Sequence, residues 1–175
     1  MRNDAELLDH ILNHIDEGTT DLGEEDWHEP VENYASQTRF DAERRLMRRL
    51  PVAFCPVAAL PEPGSYVARA SAGVPIVVVR DLSGTIRAFR NACRHRGMQL
   101  AEGSGCTKIF RCTYHGWAYR LDGRLEYVPH EHGFPELDKD SNGLVPVHDV
   151  TIQSGLVFVT QDEPVGPGAL ESLPE

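Results

Sequence analysis

Two short segments of the chain each place a cysteine close to a histidine. Cys93 and His95 are separated by one residue. Cys112 and His115 are separated by two, and sixteen residues lie between the two segments. Thiolate and imidazole groups are common ligands of zinc and iron in proteins. Four cysteines in 175 residues are too few for the disulfide framework of a small secreted domain. The spacing therefore predicts a metal site built from these four side chains.

The order of the ligand types bears on which metal is bound. Zinc fingers usually supply two cysteines from one segment and two histidines from another. Here each segment supplies one thiolate and one imidazole, which is the arrangement that lets each of two loops reach both metals of a two-iron cluster. The pattern favours a [2Fe–2S] cluster with two cysteines on one iron and two histidines on the other. A tetrahedral Cys2His2 zinc site in a structural or interaction module is the alternative.

The residues beside the ligands also carry expectations. Gly97 and Gly116 can adopt positive φ without strain, so we expect tight turns that bring backbone N–H groups towards the cysteine sulfurs. Trp117 is expected to pack beside the metals. Basic residues near both segments form a predicted basic rim, which either steers an acidic partner or is simply solvated. The basic rim comprises Arg94, Arg96, Lys108 and Arg111. The residues expected to surround the ligands are Arg96, Gly97, Tyr114, Gly116 and Trp117.

The segments that position these loops are predicted to be strands. Short β-branched or aromatic runs recur with turn residues between them, and Asp122-Gly123 is a strong hairpin signal. This spacing indicates an antiparallel sandwich or small barrel, so the fold class is mainly β. The predicted strands are residues 66–70, 76–80, 86–90, 108–111, 117–121, 124–128, 145–152 and 156–160.

Two amphipathic helices are predicted before the strands, over residues 5–17 and 38–49. Gly18 is expected to end the first, Thr38 to cap the second and Pro51 to stop it, with residues 18–35 as a linker. The second helix is predicted to turn its apolar residues inward and its arginines largely outward. These apolar residues are Phe40, Leu46, Met47 and Leu50, and the arginines are Arg44, Arg45, Arg48 and Arg49. The predicted division is a helical extension (1–50), a β domain (51–162) and a Pro/Gly-rich tail (163–175).

Charge and hydropathy exclude some functions. The net charge is −10. Residues 1–30 hold ten acidic residues and one basic residue, Arg2, so this N-terminal segment carries most of the negative charge and the rest of the chain is nearly neutral. The sequence shows no basic face of the kind that nucleic-acid-binding proteins have. No apolar run reaches the ~20 residues that a membrane-spanning helix needs, and the first residues do not resemble a signal peptide. We therefore expect a cytoplasmic protein that binds neither nucleic acid nor membrane.

Several segments resemble the Rieske domain of the α subunit of ring-hydroxylating, Rieske-type non-haem iron oxygenases, over about residues 31–165. They are LPEPG at 60–64, NACRHRG at 91–97, FRCTYHGW at 110–117, YRLDG at 119–123 and GLVFV at 155–159. The resemblance implies that Cys93 and Cys112 bind one iron and that His95 and His115 bind the other. It also implies electron transfer from a ferredoxin or flavin reductase to a mononuclear iron in a catalytic domain or neighbouring subunit, and a trimeric assembly.

The other large Rieske class, of respiratory and photosynthetic complexes, has an additional disulfide and a serine hydroxyl donor beside the cluster. Here Met98 and Tyr114 stand at the disulfide positions and Trp117 replaces the serine. With fewer donors, we expect a reduction potential at the low end of the roughly −150 to +300 mV range of Rieske centres.

The resemblance also predicts what this chain alone does not supply. The family's catalytic iron is bound by a D/E-x2-H-x4–5-H string, which we do not find, so the chain alone is not expected to hydroxylate a ring. A standalone Rieske ferredoxin is the alternative, although the N-terminal helices and the segment 127–143 favour an oxygenase. His10 and His14, four residues apart, are expected to face solvent. Cys55 and Cys106 are expected to be ordinary thiols.

Overall fold

The computed structural model describes residues 3–23, 25, 26 and 28–166. The chain divides into two compact units at Ser36 and Gln37. The predicted tail, 163–175, lies outside the described residues from position 167 onward. Within the described residues, each helix is too short or too polar to span a bilayer.

The first unit begins with helix α1, Asp4–Glu17. Asn3 and Glu6 form a reciprocal capping box at its start, and Gly18, with φ 64°, ends it as predicted. Helix α2, Glu32–Ala35, lies in the stretch that was predicted to be only a linker. None of the residues of α1 is buried.

The second unit begins with helix α3, Gln37–Arg48, so Thr38 lies inside the helix rather than capping it. The prediction that its apolar residues turn inward is wrong for Phe40 and Met47, which are 52% and 44% exposed. Arg44 lies instead against the turn at Gly73, so closely that a Cβ on Gly73 would lie 1.7 Å from the guanidinium. The long arginine side chain therefore covers this turn, and Arg44 and Arg48 are half-buried rather than outward.

Three antiparallel sheets follow, which confirms the predicted fold class. Their strands are β1 (Val52–Pro56), β2 (Ser65–Ser71), β3 (Val74–Arg80), β4 (Ile86–Arg90), β5 (Gly103–Cys106), β6 (Phe110–Arg111), β7 (Ala118–Tyr119), β8 (Leu125–Tyr127), β9 (Asp149–Gln153) and β10 (Leu156–Thr160). The spatial orders are β1-β10-β9, β4-β3-β2-β5 and β6-β7-β8. All the pairings between these strands are antiparallel.

Strand β3 separates two hydrophobic cores. Because successive side chains of a strand point to opposite faces, Val77 and Val79 enter one core while Ile76 and Val78 enter the other. This explains why β3 reads as a nearly continuous apolar run. The first core also contains Cys93 and Cys112, so the predicted ligands lie at the edge of the packed interior.

The turn between β3 and β4 is held by a buried carboxylate. Asp81 accepts hydrogen bonds from Ser83 N–H and Oγ (2.9 and 2.6 Å), from Thr85 N–H (3.0 Å) and from Arg87 Nε (2.6 Å). Burial opposes its ionisation, but the hydrogen bonds from Ser83, Arg87 and Thr85 outweigh burial and hold the pKa of Asp81 at about 2.

Candidate metal centre

The first of the two cysteine–histidine loops leaves strand β4. Its backbone closes on itself: Gly97 N–H donates to the carbonyl of Cys93 at 2.8 Å, and Cys93 N–H donates to the carbonyl of Met98 at 2.8 Å. Gly97 has the predicted positive φ, 73°. The buried amide of Asn91 then holds the chain that follows, because it accepts from Leu100 N–H at 2.9 Å and donates to a carbonyl one residue further at 2.7 Å.

The second loop, after β6, repeats this closure. Gly116 N–H donates to the carbonyl of Cys112 at 3.0 Å, and Cys112 N–H donates to the carbonyl of Trp117 at 2.8 Å. Gly116 has φ 74°, and a Cβ there would lie 3.0 Å from Pro129. The N–H groups of the two glycines themselves donate to the cysteine carbonyls, while the backbone N–H of His95 approaches the Cys93 sulfur, as expected for this loop.

The two loops bring the predicted ligands to one end of the first core. Cys93 and Cys112 are both buried, and the imidazole centroids of His95 and His115 lie 4.7 Å apart. Burial raises the pKa of Cys93, and the neighbouring Cys112 sulfur adds to that effect. None of the four cysteines of the chain forms a disulfide.

The two histidines differ in exposure and in surroundings. His95 is half-buried, and the Trp117 indole stacks on it at 4.9 Å with an interplanar angle of 7°. Phe134 meets the edge of both rings, at 6.1 and 6.0 Å. His115 is exposed, and the phenol ring of Tyr114 stacks on it at 3.8 Å.

One buried atom of this group has no hydrogen-bond partner among the residues that the structure describes. His95 Nδ1 is buried and makes no hydrogen bond to any described residue. Leaving a buried polar nitrogen unpaired costs about 1–3 kcal/mol, so such an atom calls for an explanation. Burial, followed by the charges of His115 and Arg96, lowers the pKa of His95 and keeps the imidazole neutral. A neutral nitrogen with an unused lone pair fits a metal ligand.

The spread of the donor atoms fits two metals better than one. Among the described residues, the group of potential ligands whose donor atoms all lie within 4.8 Å of one another is in the first unit, not in these loops. A single tetrahedral zinc ion needs four donors that close together. The four loop residues suit ligands divided between two irons.

Tyr119 is a site residue that the sequence analysis missed. It is fully buried, and its hydroxyl lies 3.2 Å from Cys93 Sγ while it accepts from Arg94 N–H at 2.9 Å. Burial, and then the hydrogen bond to Cys93, raise the pKa of Tyr119, so the phenol keeps its proton. We expected no hydroxyl donor beside the cluster, but the Tyr119 hydroxyl lies within hydrogen-bond distance of Cys93 Sγ. The low reduction potential stays a prediction. Tyr119 lies on the strand directly after the second loop. An aromatic residue at an inward-facing position there is the sequence signal that could have indicated its place beside the site.

Three residues of the predicted basic rim, Arg94, Arg96 and Arg111, are each adjacent in sequence to a cysteine or histidine of the loops, whereas Lys108 lines a cavity beside the turn between β3 and β4. The four residues are all exposed, and none makes an ion pair with a residue in the described part of the chain. Arg96 donates to the Tyr114 hydroxyl at 3.3 Å and lies over that ring. Arg111 lies over the ring of Tyr127. Their charge is therefore not neutralised by carboxylates of the described residues.

Comparison with known proteins identifies the family to which this domain belongs. Residues 51–146 match the Rieske [2Fe–2S] domain. The carnitine monooxygenase oxygenase subunit of Acinetobacter pittii is 32% identical over 139 residues, covering 78% of this chain and 37% of the relative. The biphenyl 2,3-dioxygenase α subunit of Rhodococcus jostii is 40% identical over 105 residues, covering 59% of this chain and 23% of the relative.

Solved structures agree. A quaternary ammonium Rieske monooxygenase in complex with an inhibitor superimposes with a TM-score of 0.73 at 30% identity, covering 83% of this chain and 43% of that one. Naphthalene 1,2-dioxygenase with bound indole gives a TM-score of 0.70 at 31% identity, covering 77% and 31%. The chain thus spans well under half the length of these relatives. It belongs to the Rieske [2Fe–2S] domain family, is homologous to oxygenase α subunits, and has a Rieske-type [2Fe–2S] cluster as its cofactor.

Proposed function

We propose that this chain is the electron-transfer module of a Rieske oxygenase α subunit. Cys93 and Cys112 would bind one iron, and His95 and His115 the other. The observation that carries the proposal is that two buried thiols and two imidazoles meet at one end of the core, with His95 Nδ1 buried and unpaired. When bound, the cluster supplies reversible one-electron chemistry.

The protein's own residues would shield one side of the site and open the other. Trp117, which is 4% exposed, and Phe134 cover His95 and exclude water from it. His115 is exposed beside Tyr114, so a redox partner can approach the site most closely at this imidazole. The Tyr119 hydroxyl holds the Cys93 sulfur and balances its negative charge.

The surface chemistry supports an acidic electron donor. Three exposed arginines, Arg94, Arg96 and Arg111, lie in or beside the two loops, which favours a ferredoxin or flavin reductase with a negative surface. By resemblance to the family, the acceptor would be a mononuclear iron in a catalytic domain or a neighbouring oxygenase subunit, within a trimer. The relatives include oxygenases named for biphenyl and others named for carnitine or glycine betaine, so an aromatic substrate stays a prediction of the sequence alone.

The first experiment is spectroscopic. We expect anaerobically purified protein to be red-brown, to contain about two irons per chain and to show a rhombic Rieske EPR signal after reduction by dithionite. Iron and zinc analysis on the same sample tests the zinc alternative. A colourless protein with one zinc per chain would contradict the redox proposal.

Paired variants test the ligands. We expect Cys112→Ser to abolish the Rieske signal, because a thiolate ligand is lost. Cys106→Ser is the matched control, since this exposed thiol lies only six residues earlier and should leave spectrum and iron content unchanged. His115→Cys should remove the Rieske spectrum while a cluster can persist. A Rieske signal that survives in Cys112→Ser would refute the assignment.

A further inference from the structure

The first unit contains a second group of metal-binding side chains, far along the sequence from the cluster ligands. His10 and His14 lie one helical turn apart on α1, so both imidazoles project from the same face. After the helix ends at Gly18, the chain turns back: Thr19 N–H donates to the carbonyl of His14 at 2.9 Å. This turn brings Asp21 over the two histidines. They are about one-quarter exposed, which corrects the expectation that they simply face solvent.

Three donor atoms from these residues converge on one point. His10 Nε2 lies 3.2 Å from His14 Nε2 and 2.9 Å from Asp21 Oδ1, and His14 Nε2 lies 3.3 Å from the same oxygen. Four ligands at 2.0–2.1 Å from a tetrahedral zinc ion stand roughly 3.3 Å apart. The three measured separations are close to the edges of that tetrahedron.

A fourth residue orients one of the donors. His14 Nδ1 lies 2.8 Å from Thr19 Oγ1, and the tautomer in which Nδ1–H donates to this hydroxyl leaves the Nε2 lone pair facing Asp21 and His10. This is the support that metal-bound histidines usually receive from their other ring nitrogen. In this tautomer the hydrogen bonds within the triad leave acceptors unsatisfied, because His14 Nε2 and both carboxylate oxygens are acceptors while His10 Nε2 has at most one proton to share. A cation at the point of convergence would satisfy all the acceptors.

We propose that His10, His14 and Asp21 form a binding site for a divalent transition metal, with zinc as the expected ion. Two imidazoles and one carboxylate suit zinc better than magnesium or calcium, which prefer oxygen ligands alone. A water molecule would complete the tetrahedron on the open side. The bound ion would tie the segment 18–21 to the last turns of α1, independently of the function proposed for the cluster.

The test uses the full chain with its cluster loaded, so that Cys93 and Cys112 are not available to zinc. In equilibrium dialysis, we expect the wild-type chain to bind one zinc in addition to its iron. Loss of a residue that only supports a metal ligand typically weakens metal binding by about 10–100-fold. His14→Gln and Asp21→Asn each remove a direct ligand, so each should weaken zinc binding by at least this much. His28→Gln is the matched control, because it removes an exposed histidine from the same unit outside the group. Far-UV circular dichroism checks that each variant keeps its helices.

X-ray absorption at the zinc edge then identifies the ligands. We expect nitrogen and oxygen neighbours at about 2.0–2.1 Å and no sulfur at about 2.3 Å. A Zn–S distance would place the ion at cysteines and overturn the proposal. Three other results would also overturn the proposal. The wild-type chain could bind no zinc, folded His14→Gln and Asp21→Asn could bind it as strongly as the wild type, or His28→Gln could weaken binding as much as they do.

Discussion

Replacing Tyr119 by phenylalanine should lower the reduction potential of the cluster. The substitution keeps the buried ring and removes only the hydroxyl, which lies 3.2 Å from Cys93 Sγ. Because the phenol oxygen already accepts from Arg94 N–H, its own proton is free to donate to the sulfur. The reduced cluster carries one more negative charge than the oxidised one, so it gains more from this donor.

The size of the effect follows from hydrogen-bond energetics. A bond to a neutral acceptor contributes about 0.5–1.5 kcal/mol and one to a charged acceptor about 1.5–3 kcal/mol, so the two redox states differ by about 1–1.5 kcal/mol. For a one-electron couple, a tenfold change in the equilibrium constant is about 59 mV or 1.4 kcal/mol. Tyr119→Phe should therefore lower the potential by about 40–65 mV. Both groups are buried, so solvent does not screen the bond.

Protein-film voltammetry of the loaded protein measures this shift. Tyr114→Phe is the control, because it removes a hydroxyl that contacts Arg96 instead of a cysteine, and its potential should stay within about 10 mV of the wild type. A Tyr119→Phe potential that equals the wild-type value, or exceeds it, would show that the hydroxyl does not favour the reduced state. A shift of equal size in both variants would point to a general loss of packing.

Three other perturbations have expected outcomes. Trp117→Ala should cost about 3–5 kcal/mol of stability by deleting a buried ring, and should accelerate iron loss to a chelator by exposing His95; unchanged iron release would contradict the shielding role. Asp81→Asn should lower the free energy of unfolding by about 2 kcal/mol at pH 7, because its folded pKa of about 2 is below the ordinary 3.8. That contribution is complete above about pH 5 and disappears as the pH falls towards 2, so denaturant titrations should show a smaller difference at pH 3 than at pH 7. Reversing the charges of Arg94 and Arg96 to glutamate should slow reduction by an acidic ferredoxin by at least about tenfold at low ionic strength, with the difference vanishing in high salt; equal rates in stopped-flow mixing would argue against steering by the basic rim.

Strands with strong local signals were predictable from the sequence. The bounds of β4 and β10 agree with the prediction to the residue, because each is a β-rich run enclosed by turn residues. Strand β5 was missed, since Gly103–Cys106 contains no strong β-former and is held only by its pairing with β2. Strand β1 was missed because it lies between Pro51 and Pro56, which interrupt the pattern. The predicted orientation of α3 was wrong for two apolar residues. Phe40 and Met47 are exposed, while Arg44 packs against the turn at Gly73.

The candidate site shows the same division between local and long-range information. The convergence of the four proposed ligands at one end of the core was predictable because each cysteine–histidine pair lies within four residues of sequence. Tyr119 and Phe134 were not, since their contacts with Cys93 and His95 depend on how distant loops fold together. The contact of Asp21 with His10 and His14 was not predicted for a related reason: Asp21 lies beyond the end of α1, where helical periodicity no longer indicates which residues face one another.

The self-closing loops have a consequence for the energetics of cofactor binding. The hydrogen bonds that shape both loops join Gly97 to Cys93 and Gly116 to Cys112 through backbone atoms, none of which is a metal donor. Ordering one residue costs about 1–2 kcal/mol of conformational entropy. In small zinc domains the metal itself must offset that cost. Here the backbone hydrogen bonds of the two loops offset part of it without any metal–ligand bond.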